Sequence, residues 1–160
     1  MTEQWLDLGI AVAAAASGLM AGFFYAFSIC VMPALAQRPA AEAAAAMQSI
    51  NRVVLNPWFL PVFLGTALWT IALAAVALAD GLSAASLCIG AGAAAYCLGT
   101  FAVTLRFNVP MNDALAAAST QDPAIAAHWS AYLRDWTRWN HVRSWAALLA
   151  TLCFIAALLV

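Results

Sequence analysis

Apolar positions fall in four long runs, residues 8–36, 53–79, 82–105 and 144–160, and none of these contains Lys, Arg, Asp or Glu. A helix of roughly 20 residues crosses a hydrocarbon core of about 30 Å. The first three runs are long enough, and the fourth becomes so if its helix begins by residue 141. Between the first two runs, residues 40–55 read as a short helix of another kind. Gln48, Asn51, Arg52 and Leu55 share one face, while Met47, Ile50 and Val54 share another. That predicts an interfacial helix lying across the ends of the spans. Pro33 and Pro39 bracket the end of the first span, and Pro39 suits the first turn of the helix that follows. Asn56-Pro57 should end that helix, because a residue before proline avoids the helical region. Pro61 should then kink the start of the second span. Pro110 should interrupt the helix leaving the third span, with Asn112 or Asp113 capping the next turn. Residues 124–160 hold neither Gly nor Pro, so one long helix is permitted: a polar extension running into the fourth span. The predicted architecture is an all-α integral membrane protein, a single domain over residues 1–160. It is a four-transmembrane-helix bundle with spans at 8–36, 53–79, 82–105 and 141–160.

Composition agrees. Hydrophobic residues make up 66% of the 160 and charged residues 8%, with a mean hydropathy of +0.90, which excludes an ordinary soluble domain. All six cationic residues are arginine. Arg38 and Arg52 lie between the first and second runs, and Arg106, Arg134, Arg138 and Arg143 between the third and fourth. An even number of crossings puts both groups on one face, cytoplasmic by the positive-inside rule, with both termini outside a bacterial inner membrane. Glu3 and Asp7 at the N-terminus do not suit a cleaved signal peptide, which begins with basic residues. No basic patch of the density nucleic acid requires is present. Cys30, Cys88, Cys97 and Cys153 all fall in apolar runs without a CxxC pair, so they read as small packing residues. Gly18 and Gly22, extended back by Ala14, form a small-residue stripe that packs the bundle internally or makes a homodimer seam.

The chemistry concentrates in the tract Trp136-Thr-Arg-Trp139-Asn140-His141-Val-Arg143-Ser144. The topology brings Asn51, Asn56, Arg106, Asn108 and Asn112 to the same end of the bundle, where polar groups need partners. His141 is the natural acid–base candidate, since its ordinary pKa of about 6.5 lets it exchange protons near neutrality. Arg143 can stabilise an oxyanion, with Asn108 and Asn112 orienting hydroxyl or carbonyl groups. Trp136 and Trp139 offer a flat wall for an aromatic ligand. The plain structural reading stands beside this. Trp129 suits an interfacial aromatic belt, and Trp139 with Arg143, four apart, suits a cation–π contact at a helix start. His128 lies about 20 Å from His141 on a continuous helix, too far to share a metal unless that helix breaks near residues 132–136.

Gly22-Phe-Phe-Tyr25-Ala-Phe27-Ser28, Met47-Gln-Ser-Ile-Asn51-Arg52, Phe107-Asn108-Val-Pro110-Met-Asn112 and the tract ending Asn140-His141-Val-Arg143 occur in this order along the chain. Together they resemble the anthrone oxygenase-like membrane proteins. The resemblance implies four spans and oxidation of an electron-rich, anthrone- or phenol-like aromatic by O2 without an added flavin or haem, so no cofactor is expected. For that chemistry the residues themselves offer His141 as base and Arg143, Asn108 and Asn112 as the remaining catalytic groups. Asn51, Asn56, Arg106, Trp136, Trp139, Asn140 and Tyr25 would contact a hydrophobic aromatic molecule. Two other classes fit the same residues: a non-catalytic membrane protein that binds a hydrophobic ligand or partner, and a metal or haem site using His141 with His128 or a cysteine.

Overall fold

The structure is a computed structural model that describes residues 2–160, all helical and without strands among the described residues. Four long helices alternate in direction, and a short one follows the first of them. The first covers residues 2–36, the second is the short helix Ala40–Val53, and the third is Phe59–Ala79. The fourth covers residues 84–117, and the fifth is Ile125–Ala157. The four long helices pack in a ring, first against third, third against fourth, fourth against fifth and fifth against first. The short second helix lies over the fifth and over the end of the fourth, closing one end of the ring. The fused core contains Phe24, Phe63, Ile89, Tyr96 and Phe154, with alanines where backbones approach.

Three helical stretches, Gln4–Ala36, Phe59–Ala79 and Ala84–Ala117, are long and apolar enough to cross a membrane. The predicted fourth crossing is not among them. The fifth helix is long enough, but Asn140, His141 and Arg143 fall in the stretch it needs and dilute its hydropathy.

Prolines behave differently from the sequence expectation. Pro110 does not interrupt the fourth helix; a π-helical segment, Thr104–Asn108, precedes it and the helix continues to Ala117. The same device, Phe27–Val31, precedes Pro33 in the first helix. Widening the turn relieves the clash between a proline ring and the carbonyl four residues back, and such turns recur at functional sites. Pro61 occupies the first turn of the third helix, where no intrahelical amide bond is lost. The Asn56-Pro57 expectation is met: the second helix stops at Val53. Asn56 Oδ1 then accepts from the amides of Trp58 (2.9 Å) and Phe59 (3.0 Å) to start the third. At the opposite end, Gly81 turns the chain with φ of +131°. Ser83 and Ser86 cap the fourth helix reciprocally.

Gly18 packs internally, since a Cβ there would meet Thr151 of the fifth helix at 3.6 Å, whereas a Cβ on Gly22 would meet nothing within 4 Å.

Candidate functional site

The fifth helix presents an aromatic stripe at helical spacing. Trp129, Tyr132 and Trp136 are buried and stacked, with ring centroids 5.7 and 5.9 Å apart. The second helix covers them with Met47 and Ala43. Trp129 is thus a core residue and not part of an exposed belt. The polar ends of the stripe converge on one acceptor: Asn112 Oδ1 receives the Tyr132 hydroxyl and the Trp136 indole N–H, each at 2.8 Å. Asn51 Nδ2 donates to the Tyr132 hydroxyl at 3.4 Å. Burial raises the Tyr132 phenol above its ordinary pKa, against the opposing effects of the Asn51 hydrogen bond and the Arg143 charge. The hydroxyl therefore remains a donor at neutral pH.

One turn further along, Asn140 and Arg143 are buried in the ring of helices. Asn140 Nδ2 donates to the Phe24 carbonyl (2.7 Å) and Ser28 Oγ (2.6 Å), both in the first helix. Its Oδ1 accepts from Arg143 Nε at 2.9 Å. Arg143 Nη1 donates to Thr104 Oγ1 at 3.3 Å, inside the fourth helix's π segment. The guanidinium lies 4.0 Å from the Phe24 ring centroid and 4.9 Å from that of Trp136. The predicted Trp139–Arg143 contact gives way to this pair. Among the described residues the ion pairs are Arg38–Glu42 and Arg134–Asp135, so no carboxylate neutralises Arg143. A buried cation without a counter-ion is costly, and Nη2 makes no hydrogen bond among the described residues.

Arg143 borders a cavity of about 180 Å³. Part of its lining is aromatic: Phe59 stacks on Phe63 at 5.6 Å and 11°, with Phe23, Phe24, Phe27 and Trp136 around them, and aliphatic side chains complete it. Asn51, Asn112 and Thr104 are its other polar edges, and no Asp, Glu or His lines it. The volume is below that of drug-sized ligand pockets and suits a compact planar ring system.

The sequence candidates therefore separate. Arg143, Asn112, Asn51 and Trp136 meet at the cavity, and Asn140 holds Arg143 from behind. Asn108 is fully buried outside it, donating to the Trp136 carbonyl at 3.2 Å, and its Oδ1 has no hydrogen-bond partner. Asn56 is a helix-start residue. Trp139 stacks on Phe107 at 3.6 Å with Arg106 over the same ring, facing away from the cavity. Tyr25 is exposed and lines a surface groove beside Gly18, Gly22 and Trp145.

His141 lies apart from this group. It is exposed and lines a separate open cleft with Pro33, Leu133 and Arg138. Helical geometry explains this: Asn140 and Arg143 share the inward face, and the residue 100° around from Asn140 turns outward. His128 is also exposed, the fifth helix runs unbroken from Ile125 to Ala157, and the two histidines line different clefts. Among the described residues no three His, Cys, Asp or Glu side chains gather as a metal-ligand set.

Sequence reasoning missed Phe24, Phe59, Phe63 and Thr104. Their signal, Phe23-Phe24 in the first apolar run, Phe59 and Phe63 in the second and Thr104 in the third, reads as ordinary span composition until Arg143 is placed against it.

The family model described as anthrone oxygenase matches residues 56–153, which takes in the third, fourth and fifth helices and with them Arg143, Asn112, Thr104 and Trp136. The motifs of the first two helices lie outside the matched residues. No curated protein and no solved structure is significantly similar to the chain. With more than half its length matched, the chain belongs to the anthrone oxygenase family.

Proposed function

We propose that the protein is a membrane-embedded oxygenase that holds an acidic aromatic substrate as its anion against Arg143 and lets that anion react with O2. The observation that carries this reading is a buried guanidinium, without a carboxylate partner, at the edge of an aromatic cavity. A substrate enolate or phenolate supplies the missing charge. At 4 Å and an effective dielectric of 20 the attraction is about 4 kcal/mol, enough to lower the pKa of a bound acid by about three units.

An anthrone suits the site because its methylene is acidified by the carbonyl and both rings. The carbonyl oxygen faces Arg143 and the rings lie among Phe59, Phe63 and Trp136. The methylene proton leaves to water at the partly exposed Asn51 edge, and no protein base is required. The resulting enolate passes one electron to O2, which partitions into apolar space. The carbon radical and superoxide combine to a peroxide. Protonation and loss of water leave a second carbonyl, so that CH2 and O2 become C=O and H2O. Asn112, fixed by Tyr132 and Trp136, bounds the polar side of the ring system.

The fifth helix supplies the fourth crossing in this reading, with the Arg-bearing end cytoplasmic and both termini outside a bacterial inner membrane. Charge in the last span is tolerated because Asn140 and Arg143 face the interior of the ring. The test is oxygen uptake by protein purified in mild detergent with anthrone as substrate. Uptake above the uncatalysed rate, abolished at neutral pH by Arg143→Met, supports the reading. Stoichiometric anthrone binding without oxygen uptake would favour a non-catalytic ligand carrier.

A further inference from the structure

The cavity has a side opening. The third and fourth helices are antiparallel and remain in contact from the Gly81 turn up to Phe63 and Phe101, whose ring centroids are 5.4 Å apart. Within the same stretch Tyr96 donates to the Phe63 carbonyl at 3.2 Å and Cys97 Sγ lies 3.7 Å from the Ala67 carbonyl. One turn nearer the Arg-bearing end the pairing stops. Leu64, beside Phe63, and Leu60, one turn beyond it, line the cavity instead, with Leu105 and Val109 of the fourth helix opposite them. Leu64, Leu105 and Val109 are 42%, 51% and 36% exposed, so these residues face the cavity and the surroundings together. The rim is wholly aliphatic, and the π-helical segment Thr104–Asn108 forms its fourth-helix side.

We infer that the gap between Leu60/Leu64 and Leu105/Val109 is a lateral portal through which a neutral, lipid-dissolved polycyclic ketone reaches Arg143 from the bilayer. This rests on the proposed function for its occupant. Both helices are long and apolar enough to span, so their shared outer face meets acyl chains. A neutral molecule crosses an aliphatic rim without desolvating a charge, whereas an anion does not. Ionisation then follows entry, at Arg143, and the anion is retained by its charge. The structure thus assigns Leu64 and Leu105 to access and Arg143 to retention.

The test separates entry from chemistry. Anthraquinone, which cannot be oxygenated at the reacting carbon, is delivered in phosphatidylcholine vesicles to reconstituted protein. Its arrival is followed as quenching of tryptophan fluorescence, Trp136 being in the cavity wall. Leu64→Phe, Leu105→Phe and the double variant narrow the rim, and Leu152→Phe on the outer face of the fifth helix is the control. The double variant is expected to slow quenching roughly tenfold, with the equilibrium extent changed less than about threefold, the signature of a gate acting on rates. Unchanged rates in all rim variants would overturn the portal, as would absence of quenching in the native protein or loss of equilibrium binding in the rim variants. Oxygen uptake with anthrone is measured on the same vesicles. If uptake is absent but the rim variants slow quenching, the oxygenase reading falls and the portal stands.

Discussion

Replacing Arg143 by Met keeps the length and most of the volume of the side chain while removing its charge. For the fold, the change removes the hydrogen bonds to Asn140 and Thr104, worth about 1.5–3 kcal/mol each as bonds to a charged group. It also removes the cation–π contacts to Phe24 and Trp136, worth about 0.5–2 kcal/mol. Against this stands relief of a desolvation penalty of several kcal/mol. The two sides nearly cancel, so the variant should unfold within about 2 kcal/mol of the native protein. Catalysis has no such compensation. Losing about 4 kcal/mol of attraction moves the apparent pKa of the bound substrate up by about three units. Because the reactive species is the bound anion, kcat rises with pH through that pKa. The Arg143→Met profile should be displaced to higher pH, with activity at pH 7 down roughly a thousandfold and the gap closing in alkali. Initial rates of oxygen uptake with anthrone, corrected for uncatalysed oxidation and paired with melting curves, read both quantities. A variant with native activity at pH 7 would refute the role of Arg143, and a uniform loss at every pH in a native-like fold would refute the electrostatic mechanism.

His141→Ala should leave oxygen uptake within about twofold of native, since an exposed side chain outside the cavity has no proton to take; a loss of a hundredfold or more would restore it as the base. Asn112→Leu leaves the Tyr132 hydroxyl and Trp136 indole without their acceptor and should cost about 2–4 kcal/mol by thermal unfolding, whereas Asn112→Asp, which keeps an acceptor, should unfold nearer to native. Gly99→Ala would drive a methyl into Ala146 of the fifth helix and should destabilise by about 1–3 kcal/mol. Gly22→Ala, with open space beside it, should change stability by less than about 0.5 kcal/mol, and greater destabilisation there would point to a contact such as the homodimer seam.

Much of the helical layout is legible from hydrophobic runs because the 160-residue chain must satisfy its backbone internally wherever water is absent. The short second helix, the stop at Asn56-Pro57 and the unbroken fifth helix follow from local rules. The passage of the fourth helix through Pro110 does not, because a π turn depends on what the widened backbone packs against. In the candidate site, Arg143, Asn112, Asn51 and Trp136 were readable as polar or aromatic groups at one end of the bundle. The orientation of the fifth helix was not. Asn140 and His141 are neighbours in sequence, and a single 100° step separates a buried keystone from an exposed side chain. The inward face of that helix continues through Ala147, Ala150 and Phe154, all buried in the core, and it is fixed by packing well beyond the tract itself. The same step reassigns Trp139 to a half-buried stack with Phe107 and Trp136 to the cavity wall.

In the proposed reaction an anthrone-like acid is oxygenated in the aromatic cavity beside Arg143. Reaction of purified protein with anthrone under 18O2, analysed by mass spectrometry of the quinone, tests it most directly. The expected product is enzyme-dependent anthraquinone carrying one 18O atom in the new carbonyl, suppressed at neutral pH by Arg143→Met. Quinone formed no faster than in protein-free controls, or formed by the protein with its new oxygen drawn from water, would contradict it.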